Sequence, residues 1–114
     1  TNIYDATTEK NSCWQIEVDF SLNKSEDCLF LNVWSPHNNS ANKLPVMIWI
    51  YGGAFQIGSI WTPLYDGLLL STLDVVVVSI NYRVGPMGFI YDGTEEAPGN
   101  VGLHDQVLAL KWVI

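Results

Sequence analysis

Basic residues are scarce. The 114 residues hold five, at Lys10, Lys24, Lys43, Arg83 and Lys111, set singly along the chain against twelve acids, for a formal net charge of −7. Without a basic cluster to neutralise a phosphate backbone, nucleic acid is excluded as a partner. Long apolar runs are missing too: candidates such as Val75 to Ile80 fall far short of the ~18 residues that a membrane-spanning helix needs. There are only two cysteines and two histidines, and neither cysteine has a His or Cys near it at zinc-ligand spacing, so no metal and no cofactor is expected. Repeats and low-complexity segments are also absent. No initiator methionine stands at Thr1, and the sequence stops at Ile114 inside an apolar helical pattern with no glycine cap; both features lead us to expect a piece of a longer chain.

What is present belongs to a packed core: 48% of the residues are apolar and only 15% charged, which is incompatible with a disordered tail. Acids gather at Glu17, Asp19, Glu26 and Asp27 and again at Asp92, Glu95 and Glu96. Such clusters can steer a cationic ligand, or simply form a solvated acidic surface. Cys13 and Cys28 flank a polar, acidic loop. Two readings stay open for them: a disulfide, which for a loop of this size adds about 3 kcal/mol in the chain-entropy model, or two reduced thiols in a cytosolic protein. Asn23-Lys24-Ser25 and Asn38-Asn39-Ser40 are glycosylation acceptors in polar stretches, and with the cysteine pair they tilt the reading towards a secreted or extracellular protein.

Three segments look like strands: Cys28 to Trp34, Pro45 to Tyr51 and Val75 to Ile80. The last two are continuously apolar, the pattern of parallel strands buried on both faces. Between them Thr62-Pro63-Leu64 opens a leucine-rich stretch to Leu70, with threonine as cap and proline at the first helical position. Strand, helix, strand with so long a connection predicts a right-handed crossover and an α/β layered fold. Asn100 is placed to cap a final helix from Val101 to Ile114, on which Leu103, Val107, Leu110 and Ile114 form the stripe expected to be buried.

The segment WIYGGAF, Trp49 to Phe55, ends an apolar strand on nearly bare backbone. Ligand crevices of open α/β sheets lie at such C-terminal strand ends, and glycines there let main-chain N–H groups approach a ligand. Gly52, Gly53 and Ala54 are therefore candidate donors to a developing oxyanion. A tight turn requiring glycine for positive φ explains the same residues, and three residues alone do not decide between the two.

Resemblance at four separated places adds to this. Ser25 to Val33 (SEDCLFLNV), Leu44 to Phe55 (LPVMIWIYGGAF), Asn81 to Phe89 (NYRVGPMGF) and Ala97 to Gln106 (APGNVGLHDQ) resemble, in order and in spacing, signatures of the type-B carboxylesterases, the family of cholinesterases, bile-salt-activated lipase and neuroligins. The resemblance implies an α/β-hydrolase fold, of which residues 1–114 would be the N-terminal portion: a mixed, mostly parallel sheet flanked by helices. It implies that Gly53 and Ala54 supply oxyanion-hole amides, with Gly52 shaping the approach, and that Cys13 and Cys28 are bonded to each other. It further implies that Arg83 and Asp105 form a buried ion pair and that Tyr65 lines a gorge leading to the active site.

The reaction implied is hydrolysis of a carboxylic ester through a Ser-His-acid triad and an acyl-enzyme. None of that triad is expected within these residues. No G-x-S-x-G occurs, and His37 and His104 read as loop and helix-start residues, so the 114 residues alone are expected to hydrolyse nothing. Two departures bear on choline specificity: fourteen residues separate the cysteines where cholinesterases carry a longer loop bearing a choline-stacking tryptophan, and Gln56 stands where many acetylcholinesterases have a rim tyrosine. The expectation is thus a secreted or surface-anchored carboxylesterase acting on a small-molecule ester, with a choline-ester hydrolase as the alternative. A third reading is a catalytically silent, neuroligin-like adhesion ectodomain. Oligomeric state is not legible.

Overall fold

The computed structural model describes residues 4–16, 22–36 and 43–114. His37 and the second glycosylation candidate, Asn38, lie outside them. The central sheet has three strands, β3 (Leu31–Trp34), β4 (Val46–Ile50) and β5 (Val76–Ile80), in the order β3-β5-β4. β4 pairs parallel with β5, Val46 opposite Val76 and Ile50 opposite Ile80, whereas β3 pairs antiparallel with it, Leu31 opposite Ile80. A second, two-residue ladder joins β1 (Ser12–Cys13) to β2 (Lys24–Ser25) in parallel. The sheet is mixed and flanked by helices, as expected of an α/β fold.

Only one of the two apolar strands is enclosed. Central β5 is buried from Val77 to Ile80, while β4 leaves Val46, Met47, Trp49 and Ile50 each at least 40% exposed. The expectation that both were covered on two faces therefore fails for β4, which lies at the edge of the described sheet. β3 starts later than the run from Cys28 suggests. The Cys28 carbonyl accepts from Phe30 N–H and from the Asn81 side chain, turning the chain before the ladder begins.

The expected helix after Thr62 is divided. A 3-10 turn spans Pro63–Tyr65, Asp66 is extended at φ −64° and ψ 119°, and the four-residue α1 (Leu68–Ser71) follows. Gly67 explains the break: a Cβ there would stand 2.6 Å from the Trp34 ring and 2.8 Å from Val77, so the chain is pressed flat on the sheet at this point. Thr62 makes no side-chain cap, and the Asp66 carboxylate instead accepts from Leu68 N–H.

Beyond β5 come the short α2 (Gly85–Phe89) and the long α3 (Val101–Val113). α3 starts at Asn100 in the left-handed region, φ 58°, whose carbonyl rather than side chain begins the helical bonding. Its apolar stripe does not face inward. Leu103, Val107, Leu110 and Ile114 are exposed, and the helix instead turns Gly102 and Asp105 into the fold. An ion pair and a close backbone contact at those two positions outweigh the hydrophobic periodicity. A small core of Tyr51, Ile60, Tyr82 and Val84, with Phe30, Trp61 and Tyr65 packed on it, sits where the C-terminal ends of β4 and β5 emerge.

Candidate functional site

At the end of β4 the chain passes from buried Tyr51 into an exposed turn, Gly52 to Ile57. Gly53 has φ 139°, and Ala54 and Phe55 follow at 53° and 60°, two non-glycine residues in succession in the left-handed region. That conformation costs of order 1 kcal/mol or more per residue and persists only where the surroundings enforce it. Here Gln56 N–H and Ile57 N–H both donate to the Gly53 carbonyl, at 2.9 and 3.2 Å, and Gly85 N–H donates to the Phe55 carbonyl at 2.6 Å. The Phe55 ring meets Phe89 of α2 edge-on at 5.3 Å.

The two glycines differ in what they need. A Cβ on Gly53 would come within 2.1 Å of the Ile57 carbonyl oxygen, so this position is closed to any side chain by local geometry. Gly52 has no positive φ, is exposed, and a Cβ on it would meet nothing within 4 Å. The turn explains Gly53 and leaves Gly52 unexplained. Among the described residues, no acceptor takes the N–H groups of Gly52, Gly53 or Ala54.

Beneath the turn, two tyrosines hold the strand ends together. The rings of Tyr51 and Tyr82 stack at 4.6 Å and 18°. Tyr51 Oη donates to the Tyr82 carbonyl at 2.8 Å and Tyr82 Oη donates to the Tyr51 carbonyl at 3.1 Å. Both residues are 2% exposed. Burial pushes the Tyr51 phenol well above the ordinary tyrosine range, a rise only partly offset by its bond to Tyr82, and burial raises Tyr82 as well. Sequence reasoning missed this pair, although both residues follow the last register pair of β4 and β5, Ile50 opposite Ile80, by one and two positions.

The segment after the turn is tied to the N-terminal hook. Cys13 and Cys28 are joined at an S–S distance of 2.08 Å, both 1% exposed. Ser12 and Ser59 share a buried hydroxyl–hydroxyl bond of 2.7 Å, and the Gln15 amide grips Gly58 from both sides, donating to its carbonyl at 2.9 Å and accepting from its N–H at 2.7 Å. Asn81 completes the tie by accepting from Ile60 N–H and donating to Cys28 and Asn11 carbonyls.

Arg83 and Asp105 meet in a two-pronged contact, Nη2 to Oδ1 at 2.7 Å and Nε to Oδ2 at 2.8 Å, with Arg83 N–H adding a third bond to Oδ2. The carboxylate is buried, its side chain 4% exposed, but the arginine side chain is 39% exposed, so the pair is buried at one end only. The hydrogen bonds that Arg83 donates to the Asp105 carboxylate hold the arginine proton more tightly than usual. Tyr65 is half-buried, its ring 5.3 Å from Trp49. Asn23 is exposed beside β2, and His104 is exposed on the first turn of α3. Trp14, Ser25, Glu26, Cys28, Arg83 and Met87 line a cleft of about 300 Å³ that includes one cysteine of the disulfide. Among the described residues no three His, Cys, Asp or Glu gather as a metal site, and no helix is long and apolar enough to cross a membrane.

Known proteins are similar to this chain over nearly its whole length. A mouse cholinesterase is 48% identical across 98% of the chain, a zebrafish (Danio rerio) acetylcholinesterase 49% across 98%, and acetylcholinesterase-1 of Trittame loki 46% across 96%. The chain spans about a fifth of the length of these relatives, 21%, 20% and 22% respectively. Since the profile of the carboxylesterase family also matches residues 1–114, continuous with the strand, turn and helix arrangement described above, the chain belongs to the carboxylesterase family and has its α/β-hydrolase fold.

Proposed function

We propose that the protein carrying this chain is a carboxylic ester hydrolase that works through a serine acyl-enzyme, and that Gly52, Gly53 and Ala54 provide its oxyanion-hole backbone. Gly52 carries this reading. Neither φ nor packing demands a glycine there, yet the site is bare and faces open space next to unpartnered N–H groups, as an approach to a ligand requires. In the reaction the serine oxygen attacks the ester carbonyl as histidine takes its proton, and the negative charge that develops on the carbonyl oxygen is met by the turn's N–H groups. The serine, histidine and acid are assigned to other parts of the protein.

The test is Gly52→Ala in the full protein. A lone methyl in open space is expected to leave the unfolding free energy within about 0.5 kcal/mol of the parent, while kcat/KM for a simple acyl ester falls at least about tenfold, because the methyl occupies the approach to the donors. A Gly52→Ala protein with parental kinetics would remove the turn from the mechanism. A parent that hydrolyses no ester would replace the whole reading with a silent, adhesion-type one.

Choline esters are the second reading, supported by the similarity to a cholinesterase and an acetylcholinesterase. A kcat/KM for a choline ester well above that of an uncharged ester of equal size is its expected signature. Extracellular location, N-glycosylation at exposed Asn23 and at Asn38, and a place for Tyr65 in the wall of the substrate passage belong to the same proposal. The disulfide supports the first of these, being a feature of oxidising compartments.

A further inference from the structure

We infer that Gln15 is a positioning residue for the turn: by gripping Gly58 it holds Ile57 against Gly53 and so aims the Ala54 N–H; this rests on the ester-hydrolase reading above. A trans peptide unit is planar, so its C=O and N–H point in opposite directions, and among the described residues no peptide bond is cis. The Gly53 carbonyl and the Ala54 N–H belong to one such unit. That oxygen accepts from Gln56 N–H at 2.9 Å and from Ile57 N–H at 3.2 Å, so the Ala54 N–H points away from the turn's interior. Whatever fixes Gln56 and Ile57 therefore aims an oxyanion donor.

Ile57 is fixed from the N-terminal hook. Its carbonyl shares a peptide unit with the Gly58 N–H, and Gly58 has no room for a side chain that could pack that unit in place: at φ 134° a Cβ would fall 2.2 Å from the Tyr51 ring. Gln15 holds the main chain instead. Its Oε1 accepts from Gly58 N–H at 2.7 Å, and its Nε2 donates to the Gly58 and Cys13 carbonyls at 2.9 and 3.0 Å. The Ile57 oxygen is thereby kept against Gly53, where a Cβ would meet it at 2.1 Å. Gln15 is itself anchored, two residues after the buried, disulfide-bonded Cys13, whose neighbour Ser12 bonds Ser59 directly after Gly58. On the other flank Gly85 N–H holds the Phe55 carbonyl, whose peptide unit carries the Gln56 N–H. The Gly53 carbonyl is thus held from α2 through Gln56 and from the hook through Ile57, which sustains the strain at Ala54 and Phe55 from both sides. The second route passes through one replaceable side chain, which acts on the transition state without touching substrate.

The test is Gln15→Met in the full protein, which keeps the length of the side chain and deletes its bonds to Gly58. We expect kcat to fall about three- to tenfold with KM within about twofold, the scale of one hydrogen bond. Affinity for a trifluoromethyl ketone, to whose carbonyl carbon the serine oxygen adds to leave an oxyanion while histidine takes the serine proton, should fall in proportion. Affinity for a substrate-shaped amide that forms no adduct should not change. Gln15→Ala, which opens the half-buried Gly58 groups to water, should show the same split and serves if Gln15→Met does not fold. Parental kcat in the folded variant, or a loss that touches both inhibitors equally, would overturn the role of Gln15 while leaving the hydrolase reading in place. A parent inactive on esters and indifferent to the ketone would overturn both.

Discussion

At the residue scale, small and charged positions around Arg83 do more than the apolar ones to orient the last helix. The Arg83 carbonyl is approached by Gly88 and by Gly102, each of which would put a Cβ 2.3 Å from its oxygen, and the guanidinium and N–H of the same residue converge on Asp105. One arginine thus fixes α2 and α3 through its own main chain. Asp105→Asn removes the charge from a site that accepts three bonds. Breaking a wholly buried pair costs about 3–5 kcal/mol, and because the Arg83 side chain is 39% exposed and stays partly hydrated we expect about 2 kcal/mol here. Gly102→Ala should cost about 1–3 kcal/mol by overpacking against the Arg83 carbonyl and the Phe89 ring. Chemical denaturation of the two variants beside the parent checks both values, and a Gly102→Ala protein as stable as the parent would mean that α3 slides freely.

At the scale of elements, the strand ends are legible in sequence and the helices less so. Pro45 to Tyr51 and Val75 to Ile80 announce strands by β-branched continuity, and the glycines after Tyr51 announce the turn. The break at Asp66 and Gly67 was not legible, because it depends on Trp34 and Val77 arriving from distant sequence to press on Gly67. The inward face of α3 was misjudged for a related reason: periodicity sees Leu103 and Val107, but the partner of Asp105 lies 22 residues away. Of the candidate site, Gly53 could be read as a turn residue from sequence, whereas its contrast with Gly52 depends on where the Ile57 carbonyl lies in the folded chain.

The tyrosine clasp joins β4 to β5 and gives their junction a pH signature. Both phenols are raised above the ordinary value of 10.0 by burial, so between that value and their folded values the native state keeps protons that the unfolded chain releases. Stability from this source is complete below about pH 10 and is lost as pH climbs above it. Unfolding free energy should therefore fall steeply with pH in the alkaline range. The tyrosinate absorbance of two residues should appear only together with unfolding, and Tyr51→Phe should flatten the fall. Early, reversible ionisation of every tyrosine in the folded protein would contradict it.

At the scale of the whole molecule, the apolar surface left uncovered is large for the chain's size. A compact domain of this length has a radius of gyration of about 13 Å, against 15.3 Å here. Val46, Met47, Trp49 and Ile50 on β4, with Leu103, Val107, Leu108 and Trp112 on α3, stand 40% or more open to solvent. Apolar faces of that extent bind other apolar surface or associate with themselves. The 114-residue chain expressed alone should accordingly bind a hydrophobic dye such as anilinonaphthalene sulfonate and sediment as a concentration-dependent mixture. Replacing Met47 and Trp49 with lysine should reduce both effects, since two charges on one face of an edge strand oppose face-to-face contact through that face as well as edge pairing. A protein of the relatives' length that contains this segment should bind less dye per molecule if its further elements lie on β4 and α3. Equal dye binding by the short and long chains would mean that these faces stay open in the longer protein, and that their apolar residues serve contact with something other than its own fold.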